Sequence, residues 1–176
     1  RNFMCSLNVA VIGLGYWGPN YLRVLSQIDE VYVKYLCDKD RQRLNAFSKK
    51  GCELVSDCRV LADDGSLDAV FIATPASTHF GIAKLMLESG KHVLVEKPLT
   101  MNYKEAVKLC QLSEEVNRVL MVGHIYVYNP AFNYIRSMVE KGELGRLYYG
   151  VGLRMGLGPI REDANCLWDL APHELS

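Results

Sequence analysis

LNVAVIGLGYWGPN, Leu7 to Asn20, is the stretch on which the fold turns. Its first half, LNVAVI (7–12), is a short apolar run of the kind that makes a buried strand. The second half, GLGYWG from Gly13 to Gly18, spells GxGxxG and is followed by Pro19, a residue suited to the first turn of a helix, where its missing N–H costs little. A glycine-rich turn alone is common. Set between a strand and a helix start, it becomes a place where exposed backbone N–H groups face an anion. Gly13 would then allow the tight turn, Gly15 the close approach of a pyrophosphate, and Gly18 close packing of helix on strand.

A dinucleotide site of this kind also needs an acid about 20 residues further on, at the end of the second strand. Asp38 ends YVKYLC and lies 20 positions after Gly18. A carboxylate there can accept hydrogen bonds from both adenosine ribose hydroxyls and would repel a ribose phosphate, so NAD is favoured over NADP. Lys39, Arg41 and Arg43 lie close enough to soften that preference, which leaves NADP open. The competing account is a structural turn plus a helix-capping Asp.

Outward from this motif the chain alternates short apolar runs with helix-like stretches. After the helix through about Gln27 come a strand at 32–37, a helix at 40–50, a short strand at 52–55 and a helical piece around 57–63. Strands follow at 68–74, 92–96 and 119–123, with helices at 79–89 and from the Asn102/Glu105 capping-box pattern to about Asn117. In the latter, Tyr103, Ala106, Val107 and Cys110 share one face, and Gly90 is the expected C-terminal cap of the former. Near-continuous apolar strands alternating with helices predict an α/β fold, a doubly wound parallel sheet covered on both faces. After Gly123 the rhythm changes to a helix from Pro130 to about Lys141 and an alternating strand at 145–155. The expected organisation is a dinucleotide-binding domain at 1–123 and the beginning of a second domain at 124–176.

In such a sheet the winding reverses between the first and fourth strands, and ligands sit at the carboxyl ends of the strands near that point. The loops GLGYWG, TPASTH (74–79) and EKPLT (96–100) should therefore share one cleft. That singles out Thr74, Pro75 and His79; for His79 a solvent-facing helix end is as reasonable as a cofactor contact. Glu96 and Lys97 place two charges at the end of an apolar strand, which is costly unless they meet water or a ligand. A surface salt bridge is the bland alternative.

Composition removes other classes. Twenty basic and 20 acidic residues cancel, with no run of like charge, so no basic face for nucleic acid is expected. No apolar stretch approaches the roughly 20 residues of a spanning helix. Six cysteines, at 5, 37, 52, 58, 110 and 166, include no CxxC pair and match no zinc spacing, so no metal site is expected and reduced thiols in the cytoplasm are.

GLGYWG, CD, ATP, EKP and WDLAPHE, in this order, resemble the glucose–fructose oxidoreductase and inositol dehydrogenase family, Gfo/Idh/MocA, over essentially the whole chain. GYWGPN, YNP and GPIRED…WDLAPHE look closest to sugar-acting branches, including nucleotide-sugar uronate 3-dehydrogenases. The resemblance implies a nicotinamide-dependent oxidoreductase whose second, α+β domain carries an open, mainly antiparallel sheet and usually builds a homo-oligomer. Family members are longer than this chain, so the fragment is expected to bind cofactor better than it turns over substrate. The resemblance further implies that Lys97 lies near the nicotinamide and the reacting hydroxyl, after a cis peptide to Pro98. It puts Glu96 on the nicotinamide-side ribose and Trp17 over the phosphate loop, with Tyr16 a further candidate cofactor contact. His173 matches the family's catalytic histidine and Asp169 the acid four residues before it. Three residues after His173, where many members carry Asp, stands Ser176, and Glu174 supplies the nearby acid.

Oxidising a secondary alcohol sends a hydride to the cofactor and a proton to a base. His173 is the candidate base, because an imidazole titrates near neutral pH. Asp169 would orient it or bind a substrate hydroxyl. If one helix spans both, they share a face; if Pro172 opens the helix, Asp169 lies in the preceding loop. Tyr126, Tyr128 and Trp168 are candidate substrate contacts, and Arg154 and Arg161 are candidate clamps for a carboxylate or phosphate of a sugar acid or nucleotide sugar. Alternatives to a sugar, polyol or nucleotide-sugar dehydrogenase are reduction of another carbonyl or an imine, and a dinucleotide-binding sensor or partner-binding module without turnover.

Overall fold

Residues Leu7–Ile12 form β1, and the four residues Val9 to Ile12 are each at most 2% exposed. Burial on both faces is what an uninterrupted apolar strand needs, and β1 has it because it lies inside a sheet. The computed structural model describes residues 6–48, 51–153 and 165–175. The further strands are β2 (Val31–Cys37), β3 (Glu53–Val55), β4 (Ala69–Ile72), β5 (His92–Val95) and β6 (Leu120–Val122). They form one sheet in the order β3-β2-β1-β4-β5-β6, with every neighbouring pair parallel.

Five helices belong to this sheet: α1 (Gly18–Leu25), α2 (Arg41–Asn45), α3 (Arg59–Asp63), α4 (His79–Glu88) and α5 (Tyr103–Glu115). Strand alternation divides the interior into two cores. Val9 and Val11 pack with Leu22 and Leu25 of α1 and Leu44 of α2. Ala10 and Ile12 point the other way, to Leu61 of α3, Met86 and Leu87 of α4, and Leu109 of α5. Helices thus cover both faces, which makes the sheet doubly wound.

One irregularity adjusts the pattern. The β1–β2 register steps from Val9↔Val33 to Ala10↔Tyr35, so Lys34 is an extra residue on β2. The bulge lets Val33 and Leu36 enter one core while Tyr35 and Cys37 enter the other. Lys34 itself turns out to Asp64 Oδ2 at 2.7 Å and Ser66 Oγ at 2.8 Å.

The chain divides into two compact units, one running to Val122 and one from Gly123. In the second, a 3₁₀ turn at Ile125–Tyr128 precedes α6 (Pro130–Glu140), whose N-cap Asn129 accepts the Ala131 N–H at 2.9 Å. Two short helices follow, α7 (Cys166–Leu170) and α8 (Pro172–Leu175).

Three expectations need correction. The alternating segment 145–155 is no strand across its described part, 145–153, where its apolar side chains stand exposed and no described strand takes it as a neighbour. Alternation marks a residue pattern, and a strand also needs a neighbouring edge. On α5 the buried face is centred on Leu109, with Leu112 and Val116 against the core, while Tyr103 and Cys110 are exposed. The helix at 40–50 is shortened, with α2 ending at Asn45.

Candidate functional site

The glycine loop is shaped by what surrounds it. Gly13 has φ +94°, and a Cβ there would lie 2.7 Å from the carbonyl carbon and oxygen of Ala73 and 2.8 Å from Thr74 N. The loop therefore rests directly on the backbone leaving β4. A Cβ on Gly18 would fall on the Gly13 carbonyl oxygen, so the start of α1 closes against the strand end that feeds it. Gly15 differs: its nearest neighbour would be Arg43 Nη1 at 3.5 Å, an ordinary contact. The packing of the protein forbids side chains at Gly13 and Gly18, and the space over Gly15 stays open.

Asp38 follows β2 and braces this loop. Its Oδ2 accepts the Leu14 N–H at 2.7 Å and its Oδ1 the Asp40 N–H at 2.8 Å. Helix capping belongs instead to Asp40, which accepts from Gln42 N at 2.8 Å and Arg43 N at 3.4 Å. A carboxylate has about four acceptor positions, so two bonds leave Asp38 able to receive hydroxyl donors. The Arg43 guanidinium sits 3.8 Å from Asp38 Oδ2 and 3.3 Å from Asp40 Oδ2.

A cleft of about 1120 Å³ opens beside these groups. Gly13, Gly15 and Tyr16 line one side, Asp38, Lys39 and Arg43 another, and Thr74, Pro75 and Thr78 a third. The loop after β3, Ser56 to Arg59, closes it further. Sequence reasoning missed that wall, because the winding rule draws attention to the reversal point and β3 lies at the sheet edge. The Arg59 side chain grips Asp57 through three contacts of 2.6 to 3.1 Å and holds the Asp57 carboxyl down at about 2. Cys37, on the cleft floor, has its thiol pushed up to about 12, by burial first and by Cys58 and Asp38 beyond that.

Tyr16 is 91% exposed, and Trp17 stacks on it with ring centroids 6.2 Å apart. Trp17 also occupies the N-cap of α1. His79 neither faces solvent nor lines the cleft; it is 1% exposed, with Nδ1 2.8 Å from the Pro98 carbonyl oxygen and Nε2 2.9 Å from that of Thr74. Both partners only accept, so both contacts are hydrogen bonds only when both nitrogens carry a proton.

The EKP loop follows β5 and contains the cis Lys97–Pro98 bond. Glu96 is tied by the Tyr21 hydroxyl, which donates to Oε1 at 2.5 Å. Burial, and then the neighbouring Glu96 carboxylate, push the Tyr21 phenol well above its ordinary value, so it stays protonated and donating. Tyr21 was not legible as a site residue, since nothing in GPNYLR separates it from a packing aromatic. Neither Glu96 nor Lys97 lines the cleft described above.

In the second unit, Tyr126 packs edge-on against His173, with ring centroids 5.0 Å apart, and against Phe132 at 5.4 Å. A substrate candidate and the candidate base are thereby brought together. Pro172 opens α8, and Asp169 belongs to the preceding α7. A single continuous helix through both is thus corrected: proline has no N–H to continue the ladder. Asn165 caps α7 through the Trp168 N–H at 3.1 Å, and Tyr128 is exposed. The side chain of Asp169, and Arg154 and Arg161 altogether, lie outside the described residues.

Comparison with known proteins agrees with this geometry. Residues 7–124 match the model of the Gfo/Idh/MocA oxidoreductase family, NAD-binding Rossmann fold. A UDP-N-acetylglucosamine 3-dehydrogenase of Acidithiobacillus ferrooxidans is 30% identical over 176 residues, covering 98% of this chain and 53% of that protein. An inositol 2-dehydrogenase of Mycolicibacterium smegmatis is 33% identical over 147 residues, 81% of this chain and 43% of the relative. Among solved structures, GenD2 from gentamicin A biosynthesis, in complex with NAD, superposes with a TM-score of 0.75 at 30% identity, covering 78% of this chain and 40% of that one. This chain spans about half the length of the curated relatives it matches. The glycine loop pressed on β4, the parallel sheet and the match over 118 residues agree: the chain belongs to the Gfo/Idh/MocA oxidoreductase family, and residues 7–124 are its NAD-binding Rossmann fold.

Proposed function

We propose that the protein is an NAD-preferring dehydrogenase or reductase of a secondary hydroxyl or carbonyl on a sugar, polyol or nucleotide sugar. The observation that carries this reading is the cradle at the glycine loop. Protein packing takes up the space at Gly13 and Gly18, while the space over Gly15 opens to the cleft beside Asp38. That is where a pyrophosphate would need close backbone approach, with adenosine hydroxyls donating to the acid. Gly13, Gly15, Gly18, Tyr16 and Trp17 would hold the phosphates, Asp38 the adenosine ribose, and Thr74 and Pro75 the opposite wall. The bound nicotinamide supplies hydride acceptance and donation.

The protein's own groups handle the proton and the charge. His173 takes the hydroxyl proton in oxidation and returns it in reduction, and the edge-on Tyr126 ring fixes its imidazole plane. Lys97 stabilises charge developing on the alkoxide oxygen, and Glu96 receives a ribose hydroxyl. Asp169 orients His173 or a substrate hydroxyl; Trp168 and Arg161 contact the sugar. The names of the relatives, which act on UDP-N-acetylglucosamine and inositol, support the polyhydroxylated substrate class. Residues 1–123 would serve the cofactor and 124–176 would begin the substrate and oligomerisation domain of a cytoplasmic homo-oligomer.

Titration with NADH, followed by nicotinamide fluorescence and repeated with NADPH, tests the cofactor half. Saturable binding tighter for NADH, and weakened about tenfold or more by Asp38→Ala, is the expected result, since two hydroxyl bonds to a carboxylate are at stake. A folded chain that binds neither dinucleotide would sink the proposal.

A further inference from the structure

We propose that Tyr21 and His79 are positioning residues that hold the backbone of Lys97 from its two sides. The inference rests on the reading that Lys97 works at the nicotinamide end of the cofactor. Neither residue touches the cleft; each grips one chain neighbour of the lysine.

On one side stands Glu96. Its N–H is bound to the Ile72 carbonyl at 2.9 Å, continuing the β4–β5 ladder by one step. Its carboxylate receives Tyr21 Oη at 2.5 Å and the Lys97 N–H at 3.3 Å. Tyr21 cannot drift, because its ring packs on Phe71 of β4 with centroids 5.4 Å apart. On the other side stands Pro98, whose carbonyl oxygen lies 2.8 Å from the buried His79 Nδ1 and accepts from it when that nitrogen carries the proton. The opposite ring nitrogen reaches the Thr74 carbonyl at 2.9 Å. One imidazole therefore lies between the loop after β4 and the loop after β5, which leave the carboxyl ends of neighbouring strands.

The physical consequence concerns precision. A lysine ammonium moves on a four-carbon stem, and a catalytic group is effective only when its supporting residues lock its position. With Glu96 and Pro98 both anchored, the backbone of Lys97 is restrained on both sides. The brace also couples α1, which opens at the glycine loop, to the lysine through a single phenolic hydrogen bond.

The test uses Tyr21→Phe and His79→Gln, with the exposed Tyr103→Phe as control. Hydrogen exchange of the segment 96–100 is measured by mass spectrometry on the free chain. In parallel, lysines carrying ¹³C-dimethyl groups are observed by NMR with and without saturating NADH, the Lys97 signal being assigned by its loss in Lys97→Arg. Each brace variant is expected to speed exchange in 96–100 about tenfold, the effect of one lost hydrogen bond on local opening, and to leave the outer strands unchanged. The NADH-induced shift of the Lys97 signal should shrink in the same variants and stay whole in Tyr103→Phe. Unchanged exchange in 96–100 in variants that keep the wild-type circular dichroism overturns the brace. So does faster exchange with an undiminished Lys97 response. A wild-type Lys97 signal blind to NADH would instead overturn the placement of the lysine, and exchange would still decide the brace. Should His79→Gln fail to fold, Tyr21→Phe, which removes one oxygen atom, carries both measurements.

Discussion

Gly13 and Gly15 stand two positions apart in the motif and do different work. At Gly13 the positive φ and the Ala73–Thr74 backbone leave no room for a methyl group, so Gly13→Ala should destabilise the fold by roughly 2–4 kcal/mol, measured by urea unfolding. Gly15→Ala meets only the flexible end of Arg43 and should change stability by less than about 1 kcal/mol while sharply weakening NADH binding. Equal losses of stability in both variants, or unchanged NADH binding in Gly15→Ala, would overturn this division of work. The cysteines make a second residue-scale test. Cys110 is exposed, whereas Cys37 is buried with its thiol raised to about 12, so iodoacetamide at pH 8 should alkylate Cys110 early and Cys37 last. Mass spectrometry of the timed products checks the order.

At the scale of elements, strands were more legible than the faces of helices. β1 begins and ends where its apolar run does, because a central parallel strand is covered on both faces, and Val9 to Ile12 are all buried there. On α5 the expected stripe is rotated from the real one, since the i, i+3, i+4 spacing of Tyr103, Ala106, Val107 and Cys110 competes with that of Leu109, Leu112 and Val116. Only the position of the sheet decides between them. The β2 bulge matters here too, because it delivers Lys34 to Asp64. The Lys34 hydrogen bond, with help from the Ser66 N–H and hydroxyl, holds the Asp64 carboxyl well below the usual carboxylate range. A depressed folded value means that this contribution is fully present above the unfolded carboxylate value of about 4, and is lost as pH falls through the folded one. Asp64→Asn should therefore lower the melting temperature at pH 7 and flatten its fall below about pH 4. An acid limb as steep as that of the wild type would refute the assignment.

For the whole molecule, the decisive quantity is linkage between cofactor and fold. NADH at 100 times its dissociation constant should stabilise the chain by about 2.7 kcal/mol, visible as a rise in melting temperature. Asp38→Ala should lose most of that rise and also some intrinsic stability, because the Leu14 and Asp40 N–H groups lose their acceptor. A rise of the same size in Asp38→Ala would remove the acid from the cofactor site.

What sequence alone determined was the type and order of the elements in residues 7–124, the glycine loop, and the acid 20 residues beyond it. These are local matters: backbone conformation, strand burial and short loops are written in neighbouring residues. The tertiary structure decided the rest. It showed that Asp38 braces the loop as well as facing the cleft, that the loop after β3 forms a wall, that His79 is interior, and that Tyr21 reaches Glu96 across 75 positions of sequence. It also denied a strand to 145–153, whose alternation finds no partner among the described residues. Contacts between residues distant in sequence leave no periodic trace in a single chain, so only folding, which brings Tyr21 to Glu96 and His79 to Pro98, could reveal them.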